Sequence, residues 1–131
     1  MSKTAKALSW VFRLVITAIF LMVVVSKFTG DEESKQLFTT LMGAESEAIG
    51  RIGSGVIELA AVILLFLPKT LVYGAILSLV TMAGAIFSHF TTLGISVNGD
   101  GGMLFSMAII VFVLSAALIY LFRKDLNFFG E

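Results

Sequence analysis

Ile52-Gly53-Ser54-Gly55-Val56-Ile57-Glu58-Leu59-Ala60-Ala61-Val62-Ile63-Leu64-Leu65-Phe66-Leu67 is an apolar run with one carboxylate near its middle. An unpaired carboxylate in apolar surroundings costs several kcal/mol or more. Glu58 is therefore protonated, paired with a cation, or turned toward a polar cavity. Three further apolar runs, 7–26, 70–90 and 103–122, surround it in sequence. A helix needs roughly 20 residues to cross ~30 Å of hydrocarbon. The quoted run falls short and borrows Ile49 and Gly50 on one side and Pro68 on the other. Four spans follow, near 7–27, 49–67, 70–91 and 103–122; a re-entrant second segment is the alternative.

Composition agrees. The chain of 131 residues is 58% hydrophobic and 14% charged, with a single proline and a mean hydropathy of +1.02. These values lie outside the range of ordinary soluble domains and describe one integral membrane domain, 1–131. The expected fold is all-α: a four-helix up-down bundle with a short amphipathic helix in the first loop. Lys3 and Lys6 precede the first run as they would in a signal peptide. That run is too long for one, contains Arg13 and lacks a small-x-small cleavage site, so it reads as a retained span. There is no cysteine, which removes disulfides, dithiol exchange and thiolate metal sites from this chain. The net charge is zero, and no basic cluster suggests nucleic acid.

Four spans place both termini on one side, together with Lys3, Lys6, Lys69, Arg123 and Lys124, and Arg13 close by. Lys27, Lys35 and Arg51 fall on the other. The positive-inside rule makes the termini cytoplasmic, and Trp10, Tyr73 and Tyr120 all fall at that interface, where amphipathic rings prefer to lie. In the first loop, Asp31 can cap a helix whose apolar residues Leu37, Phe38, Leu41 and Met42 recur at helical spacing, with Gly43 ending it. This helix is either a lid on the bundle or a docking surface for a partner. In the third loop, Asn98-Gly99-Asp100-Gly101-Gly102 is turn chemistry, able also to admit a ligand.

Depth follows from a rise of ~1.5 Å per residue. By this count Glu58 lies about 13 Å above the cytoplasmic boundary and Arg13 about 10 Å above it, so the two are expected to pair across the first and second spans. Such a pair is either a clasp that fixes helix register or part of a ligand or proton site. Arg51, Ser54 and Glu58 form a polar stripe down the second span. Lys27, Arg51, His89 and Asp100 gather at the outer level. His89 stands about 15 Å from Glu58 by the same count, so no direct relay is expected between them. Small residues at Gly50, Gly53, Ser54, Gly55, Gly74, Ser78, Ala83, Gly84 and Ala85 permit close helix contact, and the methionines read as gap fillers. No metal is expected: one histidine cannot supply a bis-histidine haem ligand pair, and a His89, Glu58, Asp100 zinc site fails on depth.

The chain resembles the DoxX family of small four-span bacterial membrane proteins. The resemblance rests on Arg13-Leu14, Ser26-Lys27-Phe28-Thr29-Gly30, Arg51-Ile52-Gly53-Ser54-Gly55-Val56-Ile57-Glu58-Leu59, Ala85-Ile86-Phe87-Ser88-His89 and Leu121-Phe122-Arg123-Lys124. It implies a bacterial inner-membrane bundle linked to the quinone pool, with polar positions at Arg13, Lys27, Glu58 and His89. With no cysteine and no second histidine, electron transfer would need a bound quinone or a redox partner in the membrane or periplasm. Three functions compete. One is an accessory subunit, rather than an enzyme on its own, binding a quinone or lipid-like ligand between spans. Another is a structural or assembly protein, alone or as a homo-oligomer. The third is a small carrier that titrates Glu58.

Overall fold

In the computed structural model residues 1–125 are described, so the last six residues of the expected domain lie outside the described part. The chain is all-helical there. Its elements are α1 (Lys3–Thr29), α2 (Glu32–Met42), α3 (Glu47–Leu65), α4 (Leu71–Ser88), a π-helical turn (His89–Leu93), α5 (Met103–Leu121) and a short 3-10 turn (Arg123–Asp125). Counting the π turn with α4, four helices are long and apolar enough to cross a membrane.

The distribution of side chains supports that reading. At most 33% of the most apolar 18-residue window of any span is buried inside the protein. Leu14, Val25, Val56, Ile63, Val80, Phe87 and Val113 are exposed, whereas Ser9, Arg13, Arg51, Glu58, Ser78, His89 and Ser115 are buried. Water would select the reverse. A lipid solvent favours apolar side chains outside and polar ones facing neighbouring helices. The apolar centre is formed by Ile16 and Phe20 of α1, Ala61 and Leu65 of α3, Leu71, Ala75 and Met82 of α4, and Ala108, Val111 and Leu118 of α5.

Each long helix packs on two others, in the cycle α1, α3, α4, α5 and back to α1. Arg13, near the start of α1, reaches the Leu65 carbonyl at the end of α3, while Arg51, near the start of α3, reaches the Lys27 carbonyl near the end of α1. The two helices therefore run in opposite directions. α4 packs its backbone closely on α3 at Gly74. A Cβ on Gly74 would lie 2.8 Å from the Leu65 nitrogen and 3.0 Å from the Ala61 carbonyl oxygen. Gly55 lies under the Phe28 ring and Gly50 under Met42, while Gly53 and Gly84 face open space, so only part of the small-residue set serves helix packing.

Local chemistry sets the first loop. Gly30 ends α1 in the left-handed conformation, its N–H donating to Ser26, and Asp31 then caps α2 by accepting the Ser34 N–H at 2.9 Å. The Ser26 hydroxyl donates to the other Asp31 oxygen at 2.6 Å. These two hydrogen bonds hold the Asp31 carboxyl below its ordinary pKa. Gly43 closes α2 at φ 85°. Phe38 is buried, Leu37 and Leu41 are half-buried and Met42 is exposed, and α2 packs on α3 and on the π turn.

Candidate functional site

At the end of the molecule that carries α2, residues of the four long helices and of α2 line a cavity of about 660 Å³, within the range of small-molecule sites. Phe20, Phe38, Met82 and Met107 contribute to its apolar walls, and Lys27, Ser54, Glu58, His89 and Asp100 are its notable polar residues. A second groove, about 480 Å³ between α2 and the third loop, is lined mainly by polar residues such as Glu32, Lys35, Thr92 and Asn98. It contains no buried ion pair.

Glu58 is 2% exposed, and its Oε1 accepts from Lys27 Nζ at 2.6 Å. This corrects the expected Arg13–Glu58 pair. Rise counting locates Cα atoms, but a helical side chain leans toward its own N-terminus. Because α1 and α3 run in opposite directions, Lys27 and Glu58 lean toward each other, and Arg13 and Glu58 lean apart. Arg13 instead reaches back one turn: Nε donates to the Ser9 carbonyl at 3.2 Å, Nη2 to the Ser9 hydroxyl at 3.2 Å and Nη1 to the Leu65 carbonyl at 3.4 Å. Its guanidinium lies 3.8 Å from the centroid of the Trp10 ring. Both residues are buried, as expected of each, but they do not meet.

The same lean turns His89, at the C-terminal end of α4, in the direction of Glu58. His89 is 4% exposed, and its ring lines the cavity with Glu58 and Lys27 despite the about 15 Å of helical rise estimated between their positions. Two reciprocal contacts hold it. The Gly94 N–H donates to the His89 carbonyl at 2.8 Å, and His89 Nδ1 donates to the Gly94 carbonyl at 2.8 Å. The first closes the π turn, a local geometry found often at functional sites. Gly94 stands at φ 79°, ψ 172°, a conformation that L side chains rarely adopt. The Phe105 ring meets the imidazole edge-on, with centroids 5.4 Å apart.

The remaining outer residues divide. Arg51 is not on the cavity wall. Its Nε donates to Glu47 Oε2 at 2.9 Å and its Nη1 to the Lys27 carbonyl, where a cation meets the negative end of α1. Asp100 lines the cavity but acts as a cap: its carboxylate accepts N–H groups of Val97 at 3.0 Å, Gly102 at 2.8 Å and Leu104 at 3.1 Å. Desolvation opposes its charge, and the backbone donors outweigh that, holding it below the ordinary carboxylate range. Ser54 donates to the Arg51 carbonyl at 3.1 Å and also borders the cavity.

No protein-family model, curated protein or solved structure matches this chain.

The residue that sequence reasoning misplaced is Lys27, assigned to an outer group rather than to Glu58. The lean rule applied to antiparallel spans points Lys27 and Glu58 toward each other, although rise counting alone leaves them well apart. The methionines read as gap fillers include Met22, Met82, Met103 and Met107, all on the cavity wall, where polarizable, flexible side chains can adapt to an apolar guest.

Proposed function

We propose that the chain is a four-span, up-down bundle with cytoplasmic termini, and that it binds a quinone or lipid-like ligand in the cavity under α2. In this reading α2 is the amphipathic lid over the outward face. The observation that carries the proposal is an apolar cavity of ligand size with a buried ion pair and a histidine on its wall. The Lys27 ammonium uses one donor on Glu58 and keeps two for a ligand oxygen, while Phe20, Phe38 and Met107 suit a ring or acyl chain. A quinone would supply electron-accepting chemistry when bound, and the chain's own residues would orient its head and exclude water. The resemblance to DoxX proteins adds the role of accessory subunit to a membrane redox system in a bacterial inner membrane.

Native mass spectrometry of protein extracted in mild detergent from its own membranes tests this. The expected spectrum carries about one lipid or isoprenoid quinone per chain, lost when Ala85→Phe fills the cavity. A bare chain in both cases removes the ligand. It would leave the second reading, a structural or assembly protein, which draws on the way Lys27, Arg51 and Glu58 lock α1 to α3.

A further inference from the structure

The cavity wall is unevenly equipped with hydrogen-bonding groups. Because a carbonyl only accepts, His89 Nδ1 carries the proton in its contact with Gly94. In the neutral imidazole that leaves Nε2 as a lone pair, and Nε2 has no hydrogen-bond partner among the described residues although the side chain is almost wholly buried. Glu58 repeats the pattern: Oε1 is taken by Lys27, and Oε2 has no such partner. Neither atom is among the fully enclosed, unpartnered polar atoms of the described residues, Thr17 Oγ1 and Ser115 Oγ, so each keeps some accessible surface, and both residues line the cavity. Buried acceptors left dry are costly. Water in the cavity would satisfy them, and a ligand that displaces such water has to replace its bonds.

Resting on the cavity reading above, we infer that His89 Nε2 is the acceptor that selects the ligand, and that the cavity takes an aromatic head bearing a hydroxyl donor in preference to the same head without one. The hydroxyl hydrogen meets His89 Nε2, the Lys27 ammonium donates to an oxygen of the head, and Glu58 Oε2 accepts a second hydroxyl where the ligand has one. The aromatic requirement comes from the walls. Phe20 and Phe38 line the cavity, and the Phe38 ring centroid lies 5.6 Å from the Lys27 ammonium, so a flat ring finds aromatic partners beside the cation. His89 is a specificity-determining residue on this account, and the double contact with Gly94 is what fixes its tautomer.

The test uses the full chain in lipid nanodiscs and a matched pair of probes, para-octylphenol and its methyl ether, which have similar shape and differ in the donor. His89 is the only histidine in the chain, so selective 15N-histidine labelling reports that ring alone. The expected result is an unprotonated Nε2 in the free protein whose resonance moves on adding the phenol and not the ether. After correction for partition into lipid, the phenol binds roughly 10- to 100-fold more tightly. His89→Phe keeps the ring contact and loses that preference; should it not fold, the Nε2 resonance of the native chain decides alone. Equal binding of phenol and ether, or an Nε2 already protonated, overturns the His89 inference and leaves the cavity reading standing. If neither probe saturates any His89 signal, the cavity reading falls and the inference with it.

Discussion

Replacing Lys27 by Met should cost more stability than replacing Glu58 by Met, and the double variant should cost less than Lys27→Met alone. At 2.6 Å and an effective dielectric of ~20, the charges of the pair attract by about 6 kcal/mol, most of it offset by the desolvation of two ions. Removing one partner exposes the uncompensated part, typically about 3–5 kcal/mol. The two sides differ in escape. Glu58 is 2% exposed on a short side chain, and without Lys27 it cannot swing out to bulk water, so Lys27→Met takes the larger cost. The Lys27 side chain is 15% exposed near the end of α1, and without Glu58 its ammonium can swing toward water, reducing the cost to roughly 1–3 kcal/mol. Unfolding of the four species by denaturing detergent in mixed micelles gives a coupling energy, expected at about 2–4 kcal/mol. A parallel cycle on Arg13 and Glu58, which share no partner, should be additive to within ~0.5 kcal/mol. Coupling in the Arg13 cycle equal to that in the Lys27 cycle would refute both the pairing and the side-chain lean that explains it.

Gly74→Ala pushes a methyl against the α3 backbone and should cost about 1–3 kcal/mol, while Gly84→Ala, with nothing within 4 Å of the new Cβ, should be neutral or stabilise α4 by roughly 0.5–1 kcal/mol; the same unfolding titration compares them, and equal costs would contradict the α3–α4 contact. Gly94→Ala strains a positive-φ residue by roughly 1–3 kcal/mol and should release the His89 ring, seen as loss of a single imidazole tautomer in the 15N spectrum; an unchanged ring would mean the π turn does not set it. Asp31 and Asp100 have lowered pKa values, so their contribution is present above the unfolded carboxyl range near ~3.9 and is lost as pH falls through the lower folded values. The Ser34 and Leu104 amide resonances should therefore stay constant from pH 8 to about pH 5 and titrate only in stronger acid; a midpoint above the ordinary carboxylate range would contradict the caps.

What could be read from the sequence was what depends on neighbours along the chain. Length and hydropathy located the four long helices, and Asp31 and Gly43 bounded α2 because capping is settled within a few residues. The partner of Glu58 was not legible from rise alone, since the deciding quantity is the direction in which long side chains leave antiparallel helices. Arg13 carried a local clue in Ser9, four residues earlier, and in Trp10 beside it, both of which it contacts. The His89–Gly94 clamp needed the π turn, which widens the helix by one residue and has no signature beyond a glycine after the span. The cavity itself is lined by residues of all four long helices and of α2, and no single segment encodes it.

The two arginines inside the fold now have a common explanation. Arg13 of α1 donates to Leu65 at the end of α3, and Arg51 of α3 donates to Lys27 near the end of α1. Each helix thus places a permanent cation on the carbonyl end of the other, where the helix dipole is negative and the last carbonyls lack helical partners. Arginine suits this because it keeps its charge and offers several donors in a fixed plane. With both guanidinium groups committed to backbone, the polar groups that keep hydrogen-bonding capacity on the cavity wall include Lys27, Glu58 and His89. The division of labour follows from chemistry as much as position. The two permanent cations go to backbone carbonyls of the neighbouring helix, while the Lys27–Glu58 pair both joins α1 to α3 and borders the space where a ligand would sit.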